Sequence, residues 1–379
     1  MGLISYNKRM KILTVFGTRP EAIKMAPVIK ELRKFPGMID CKVCVTAQHR
    51  DMLDPFLKLF DINPDFDLNI MREKQSLEYI TSTVLSQMGF ILEKERPDFV
   101  FVQGDTTTSM AAALAAFYQH ICIGHIEAGL RTNDKNQPFP EEVNRRFIDD
   151  MSDLYFVHTA QARENLIREG VFPGRIEITG NTVIDSLLEI ASSPKEISHP
   201  SLKSIPFENK KVILVTAHRR ENIGRPLENI CQALRIIADK YADDVIVIYP
   251  VNLNPKVGET VHKSLDGHKN IFCIEPLDYA DFVLLMKKSY LILTDSGGLQ
   301  EEAPSLNKPV LVLREVTERP EALETGATCL VGTDIKRIVD QASLLIEDPQ
   351  VYQKMSGAIN PYGDGRASQR IVERLLRKI

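Results

Sequence analysis

Residues 291–306 read LILTDSGGLQEEAPSL. Apolar and β-branched residues run up to Asp295, a glycine pair follows, and Glu301 and Glu302 come one turn later. A run this apolar, with no polar alternation, fits a strand covered on both faces, as in a parallel sheet. The residues after it read as the opening of a helix. In open parallel sheets, ligands bind beyond the carboxyl ends of the strands. Gly297 and Gly298 lack a Cβ, so a ligand can approach the first free N–H groups of such a helix, which favour anions. Ser296 can cap or donate. Glu301 or Glu302 can accept from a sugar hydroxyl, as acids in nucleotide-binding folds do with ribose. The stretch therefore reads as a pocket for a diphosphate and its ribose. The chain has no GxxxxGK[ST] and no GxGxxG after a strand, so neither the P-loop nor the dinucleotide fingerprint applies.

The same unit recurs from end to end. Strand-like runs are KILTVFG (11–17), CKVCVTA (41–47), FVFVQG (99–104), ICIGHIE (121–127), LYFVHT (154–159) and RIEITG (175–180). The second half adds KVILVTA (211–217), DVIVIYP (244–250), NIFCIEP (270–276), YLILTDS (290–296) and PVLVLRE (309–315). Helical patterns fill the gaps, including 21–35, 76–95, 226–241 and 334–347. Alternation of this kind predicts an α/β architecture of doubly wound parallel sheets, with about six strands in each half. The chain's 379 residues exceed one typical core and suit two domains. The Ser- and Pro-rich stretch 191–211 has little periodicity and marks the break. We therefore expect a first domain over 10–190 and a second over 191–360, with a ligand cleft between them. The C-terminal helix of 361–379 is expected to pack back on the first.

Composition narrows the function classes. A net charge of −4 gives no global basic field to recruit nucleic acid, so any anion site is local. No apolar run reaches the roughly 18 residues that a membrane span needs. The opening MGLISYNKRMKILTVFG shows no cleavable signal pattern, Tyr6 breaks the myristoylation pattern, and residues 1–9 read as a loose tail. Cys41, Cys44, Cys122, Cys231, Cys273 and Cys329 lie mostly inside apolar runs and read as buried reduced thiols of a cytoplasmic protein. Cys41 and Cys44 have CxxC spacing, but residues i and i+3 of a strand face opposite ways, which argues against a shared metal.

Other runs also end in polar clusters at the ligand-binding edge. The first ends in Gly17, Thr18 and Arg19, with Pro20 at a helix start. Another ends in Asp105 and three threonines. A third carries His125, Glu127, Gly129 and Arg131. HRRE in the second half offers His218, Arg219, Arg220 and Glu221. Each has a plainer reading: Asp105 as a helix N-cap, Pro20-Glu21 as helix-start chemistry, Glu141 and Glu142 as partners of a helix dipole, His125 and His158 as core histidines, HRRE as a solvated turn. Their coincidence at one edge favours the functional reading. Arg19, Arg219 and Arg319 could supply countercharge to a diphosphate. Asp105, Glu127, Glu141 and His218 are groups of the kind that transfer protons. No HExxH or paired-His spacing accompanies them.

At this point the motifs VFGTRPEAIKMAP, TAQHR, GDTTT, EAGLRT, PEEVNR, TGNTVID, HRREN, LTDSGGLQEEAPS, TERPEA and NPYGDG, in this order, resemble the non-hydrolysing UDP-N-acetylglucosamine 2-epimerases. The resemblance runs from about Met10 to the end. It implies two Rossmann-like domains in a GT-B arrangement, with the active site in the interdomain cleft, in a cytoplasmic homodimer that needs no NAD or metal. It implies interconversion of UDP-GlcNAc and UDP-ManNAc for cell-surface polysaccharides, by elimination of UDP to a 2-acetamidoglucal and re-addition.

Carried over by motif, Asp105, Glu127, Glu141 and His218 are the catalytic candidates. Asp105 or Glu127 would be the C2 base, Glu141 would complete the second-face relay, and His218 would assist the leaving phosphate. Arg19, Lys24, Ser296, Gly297, Gly298, Glu302 and Arg319 resemble UDP contacts, with Glu302 on the ribose. Phe282 resembles a position near the base. A second, activating UDP-GlcNAc pocket in some relatives would correspond here to Gln48, His49, Lys74, Glu141 and Asn252. The chain departs from that pattern at Asp51, Lys74 and Asn252, which puts the activation in question. Gln103 also stands where a His often precedes the GD. The rival readings are a GT-B glycosyltransferase, a hydrolysing epimerase and a catalytically silent nucleotide-sugar-binding protein.

Overall fold

The computed structural model describes residues 9–377; most of the expected tail at 1–9 lies outside them. Contacts group the chain into two compact units. One holds the chain up to Ser186 together with its end from Tyr362, and the other holds Leu187–Pro361. The division falls inside the helix Thr182–Ser192.

The first unit contains strands β1 (Met10–Phe16), β2 (Ile39–Val45), β3 (Phe66–Asp67), β4 (Phe99–Gln103), β5 (Cys122–Ile126), β6 (Leu154–Val157) and β7 (Ile176–Ile178). All pair in parallel, in the order β3-β2-β1-β4-β5-β6-β7. The second contains β8 (Lys211–Thr216), β9 (Val245–Pro250), β10 (Ile271–Ile274), β11 (Leu291–Thr294), β12 (Val310–Val312) and β13 (Thr328–Leu330). These are also parallel, in the order β10-β9-β8-β11-β12-β13. Both sheets reverse direction of progression once, between β1 and β4 and between β8 and β11. At such a reversal adjacent crossovers leave on opposite faces, which opens a crevice at the carboxyl ends.

The apolar runs form the strands because both faces are covered. In β1, Ile12, Leu13, Val15 and Phe16 are all buried; in β8, Val212 to Val215 are. Leu13, Val15, Val100 and Val102 share a cluster with Val84, Met88 and the Ala-rich helix Thr107–Tyr118. Ile213, Val215, Leu291 and Leu293 do the same with the helix Arg225–Lys240. The expected helices occur at Arg19–Leu32, Leu77–Glu95, Arg225–Lys240 and Ile335–Glu347, the second and last capped by Ser76 and Asp334.

Three expectations need correction. The first sheet has seven strands, because β3 adds a two-residue edge strand that has no periodicity to read. In the second, β13 is a further strand whose three residues sit in the unremarked run ATCLV. The six cysteines are all free, but only Cys44 and Cys231 are buried. Cys41, Cys273 and Cys329 are half-buried and Cys122 is exposed at the first position of β5, where a strand emerges from the sheet's amino edge.

The chain's end returns to the first unit through a specific tie. Tyr362 is fully buried and its carbonyl accepts from the Asn181 N–H at 2.6 Å. The helix Ala367–Leu376 packs on Arg19–Leu32. Asp185, itself buried, caps its start by accepting from the Ser368 N–H (2.8 Å), the Ser368 hydroxyl (2.6 Å) and the Ala367 N–H (3.1 Å). These donors have no intrahelical partner. Asp185→Ala leaves them unpaired and is expected to cost about 1–3 kcal/mol. Limited proteolysis should then cleave the C-terminal segment earlier than in wild type, with a lower melting temperature.

Candidate active site

In the first unit the polar residues gather at the β1/β4 reversal and beside it. The turn after β1 and the turn after β4 are held together by Glu21, which is 1% exposed. Its Oε2 accepts from the Gly17 N–H (3.0 Å), the Thr18 N–H (2.8 Å) and the Thr18 hydroxyl (2.7 Å). Its Oε1 accepts from the Thr106 hydroxyl at 2.7 Å and lies 2.8 Å from the Ser109 hydroxyl. Gly17 has to be glycine, since a Cβ there would sit 1.9 Å from Thr46 Oγ1. Glu21 is therefore more than helix-start chemistry. Thr106, and not Asp105, caps the helix Thr107–Tyr118 by accepting from the Ser109 N–H at 3.0 Å. Asp105 is left to point elsewhere.

Its Oδ2 accepts from Arg145 Nη2 at 2.5 Å, and its carbonyl accepts from Asn144 Nδ2 at 3.0 Å. Burial pushes the Asp105 carboxyl above the ordinary range; Arg145 pulls it back, Glu127 pushes it further up, and Lys24 and Glu141 act in smaller measure. Glu127 follows β5 in a left-handed backbone conformation, φ 68°. Its side chain is 7% exposed, and Oε2 accepts from Lys24 Nζ at 2.5 Å and from the Gln103 amide. Glu141 opens the helix Glu141–Met151, with a buried Oε2 that has no hydrogen-bond partner. The structure thus brings Lys24, Asp105, Glu127 and Glu141 together, and adds Gln103, Asn144 and Arg145. Two carboxylates in different settings beside a third make an arrangement able to accept and return protons.

Glu142, by contrast, is structural: it is 1% exposed and accepts from the Thr132 and Asn133 N–H groups at 3.0 and 3.1 Å. His125 and Arg131 also lie behind the site. His125 is fully buried between Asp149 Oδ1 (2.6 Å) and the Gly104 carbonyl (2.8 Å). Arg131 bridges Asp149 at 2.8 Å and Glu169 at 2.5 Å. Arg19 is exposed at the start of its helix. Gln48 Oε1 accepts from the Thr108 hydroxyl at 3.0 Å, whereas His49 and Lys74 are exposed.

In the second unit the β8/β11 reversal is tied in the same manner. Asp295, fully buried, accepts through Oδ2 from the His218 N–H (2.8 Å), the Arg219 N–H (2.8 Å) and Asn222 Nδ2 (2.9 Å). The His218 ring is 41% exposed, with Nδ1 3.7 Å from Asp295 Oδ1. The HRRE turn is therefore anchored at its start. Arg219 Nη2 lies 3.7 Å from where a Gly297 Cβ would be. Ser296 stands at the N-cap position of the six-residue helix Gly297–Glu302, without a side-chain capping bond. Glu301 is 3% exposed and bonded to Arg319 Nε, which removes it as the ribose acceptor and partly neutralises Arg319. Glu302, half-buried, accepts from the Tyr279 hydroxyl at 3.2 Å; half-buried Phe282 follows on the same helix, Tyr279–Lys288. Asn252 is exposed and accepts from the Asn254 N–H at 2.9 Å. Among the described residues, one group, His262, Asp266 and Cys273, has possible metal-ligating atoms within 4.8 Å of one another. It lies by the edge strand β10, away from the reversal.

Gln103, Arg145, Asp149, Glu21 and Asp295 carry the geometry that sequence reading missed or left unassigned. Two of them left a signal: Glu21 stands three residues after Thr18, a capping-box spacing, and Arg145 stands one helical turn after Glu141.

Similarity to known proteins extends over nearly the whole chain. Residues 30–376 match the family described as UDP-N-acetylglucosamine 2-epimerase. The chain is 54% identical over 372 residues to the UDP-N-acetylglucosamine 2-epimerase of Escherichia coli (strain K12), covering 97% of this chain and 98% of the relative. It is 53% identical over 369 residues to that of Bacillus subtilis (strain 168), covering 97% and 96%. Among solved structures, the UDP-GlcNAc 2-epimerase from Neisseria meningitidis bound to UDP-GlcNAc superposes with a TM-score of 0.87 at 50% identity, covering 97% of this chain and all of that one (100%).

Asp149 offers a test of the buried support. Burial opposes its charge, but His125 and Arg131 outweigh burial and hold the carboxyl below its ordinary value. A depressed folded value contributes stability above the unfolded pKa of about 3.9, lost as pH falls through the folded value. Asp149→Asn leaves Arg131 short of a partner and should cost about 3–5 kcal/mol at pH 7. Chemical denaturation should show the gap from wild type narrowing below about pH 4.

Proposed function

Because the chain belongs to the UDP-N-acetylglucosamine 2-epimerase family, we propose that it interconverts UDP-GlcNAc and UDP-ManNAc. The reaction is an elimination and re-addition. A base takes the C2 proton as the C1–O bond to UDP breaks, giving 2-acetamidoglucal and UDP. A proton returns to C2 on the other face as UDP re-forms the C1 bond.

The observation that carries the acid–base half is the grouping of Asp105, Glu127 and Glu141 with Lys24 and Arg145 in the first unit. A C2 hydrogen is a very weak acid, so a base with a raised pKa is better matched to it than an ordinary aspartate. Asp105 is therefore assigned as the C2 base. Glu141 serves the opposite face, its buried Oε2 being an acceptor that a substrate hydroxyl or N–H can satisfy. Glu127, held by Lys24 and Gln103, relays charge between them. In the second unit, His218 and Arg219 are assigned to the leaving diphosphate, Ser296, Gly297 and Gly298 to its close approach, and Glu302 to the ribose. Arg319 contributes through its outer edge, since Glu301 holds its Nε. No cofactor or metal enters this scheme.

Among the described residues no helix is long and apolar enough to cross a membrane. With six free cysteines, the protein fits a reducing cytoplasm, where it would supply ManNAc units for cell-surface polysaccharide. We assign a second copy of this chain as its partner. The supporting feature is a set of exposed aromatics, Phe90, Phe117, Tyr118 and Phe147, on three helices packed side by side. Phe117→Glu with Tyr118→Glu should shift the sedimenting species from dimer to monomer.

The decisive experiment is proton NMR of the protein with UDP-GlcNAc in heavy water. UDP-ManNAc carrying deuterium at C2 is the expected product; free ManNAc, or no turnover without an acceptor, overturns the proposal. Asp105→Asn should lower kcat by at least ~10³ and abolish C2 exchange. As a base, Asp105 works ionised. With its carboxyl raised, kcat/KM should fall on the acid side through a pH above the ~3.9 of a solvated aspartate.

A further inference from the structure

We propose that Glu21 is a positioning residue for the reaction, holding the Asp105 and Gln103 side chains at working distance by tying the β1 turn to the β4 turn. The inference rests on the epimerase reading above. Glu21 lies outside the assigned acid–base set. It is nearly fully buried, and its two oxygens face two different turns. Oε2 holds Gly17 and Thr18, the residues that lead into Arg19 and, one turn on, Lys24. Oε1 holds Thr106, the residue after Asp105, at 2.7 Å. The Ser109 hydroxyl, 2.8 Å from Oε1, is also 2.7 Å from the Gln103 carbonyl, the residue whose amide holds Glu127. One side chain thus fixes the backbone on both sides of Asp105 relative to the turn that starts the Lys24 helix. Lys24 and Gln103 converge on the same Glu127 oxygen, so the spacing of the two turns sets whether both reach it.

The physical case is one of registry. The strands below are rigid, but the residues beyond their ends have no ladder partners and need a substitute for them. A carboxylate has two acceptor oxygens, so Glu21 can take the donors of one turn on Oε2 and the hydroxyls of the other on Oε1. Displacement of a catalytic group by about 1 Å can cost on the order of 10²-fold in rate. Glu21 touches no reacting atom in this scheme, so its effect should fall on kcat.

The test is a set of three variants assayed beside wild type for UDP-GlcNAc turnover. Thr106→Ala with Ser109→Ala cuts the tie from the β4 side and leaves the Gly17 and Thr18 bonds intact. It should lower kcat by ~30- to 100-fold with KM within about threefold, while circular dichroism and a cooperative melt show a folded protein. Glu21→Gln is the conservative variant. Its amide oxygen can accept from Gly17 and Thr18 while its NH2 donates to the two hydroxyls, which can also accept. It should recover kcat to within about tenfold of wild type, and Glu21→Met, of similar length but without hydrogen-bonding oxygens, should not. A folded double variant with wild-type kcat, or a folded Glu21→Met variant as active as Glu21→Gln, overturns the inference. Wild-type protein that fails to turn over UDP-GlcNAc sinks the epimerase reading instead, so the two failures are distinguishable.

Discussion

The constraint on which both units depend is the reversal in strand order of a parallel sheet. It places two strand-to-helix turns side by side, each with backbone N–H groups that no ladder satisfies. Each unit meets the need with one buried carboxylate from one turn accepting donors of the other. Glu21 joins the turns after β1 and β4; Asp295 joins the turns after β8 and β11. The donor–acceptor distances lie between 2.7 and 3.0 Å. Each carboxylate takes donors from the neighbouring turn, so each draws its loops into one arrangement. The result is a crevice with fixed walls, which is what a site for weak-acid chemistry requires.

Fixed walls permit carboxylates in close quarters to be kept different. Asp105, half-buried, faces a single guanidinium, and the balance of desolvation and charge leaves its proton affinity raised. Glu127 takes an ammonium and an amide on one oxygen. Glu141 keeps a buried oxygen unpaired by the protein. Three identical functional groups thereby acquire three environments, and the proposed division of labour between proton acceptor, relay and opposite-face donor follows from that difference.

The sheets were readable in the sequence because burial on both faces forbids polar alternation. Runs such as KILTVFG and KVILVTA have few other uses. β3 and β13 escaped because two or three residues carry no period. The polar clusters could be located, since they sit at the ends of those runs, but not sorted. His125, Glu127 and Arg131 lie within seven residues, and only the fold separates Glu127 at the crevice from the other two behind it. Glu21 and Asp295 were harder still. Their partners are mostly backbone N–H groups and hydroxyls up to 88 residues away, and a backbone donor has no residue type to betray it. Glu301 and Glu302 show the same limit: adjacent glutamates, of which one neutralises an arginine and the other faces Tyr279.

The helix Glu141–Met151 connects what was readable to what was not. Glu141, Arg145 and Asp149 recur every four residues and so form one stripe, each about 6 Å along the axis from the last. The first belongs to the candidate site, the second holds Asp105, and the third is buried against His125 and Arg131. His125 in turn bonds the carbonyl of Gly104, the residue before Asp105. Asp105 is therefore gripped three times from one helix: through its carboxylate by Arg145, through its carbonyl by Asn144, and through the preceding carbonyl of Gly104 by the Asp149–His125 pair. A buried ionic network is a poor way to gain stability compared with apolar packing. It is a good way to fix register, because hydrogen-bonded partners at 2.6–2.8 Å tolerate little slip along the helix axis, whereas alternative apolar contacts would allow it. The polar core behind β5 is thus accounted for by what stands in front of it: the depth of Asp149 sets the height of Glu141 and Arg145 over the crevice.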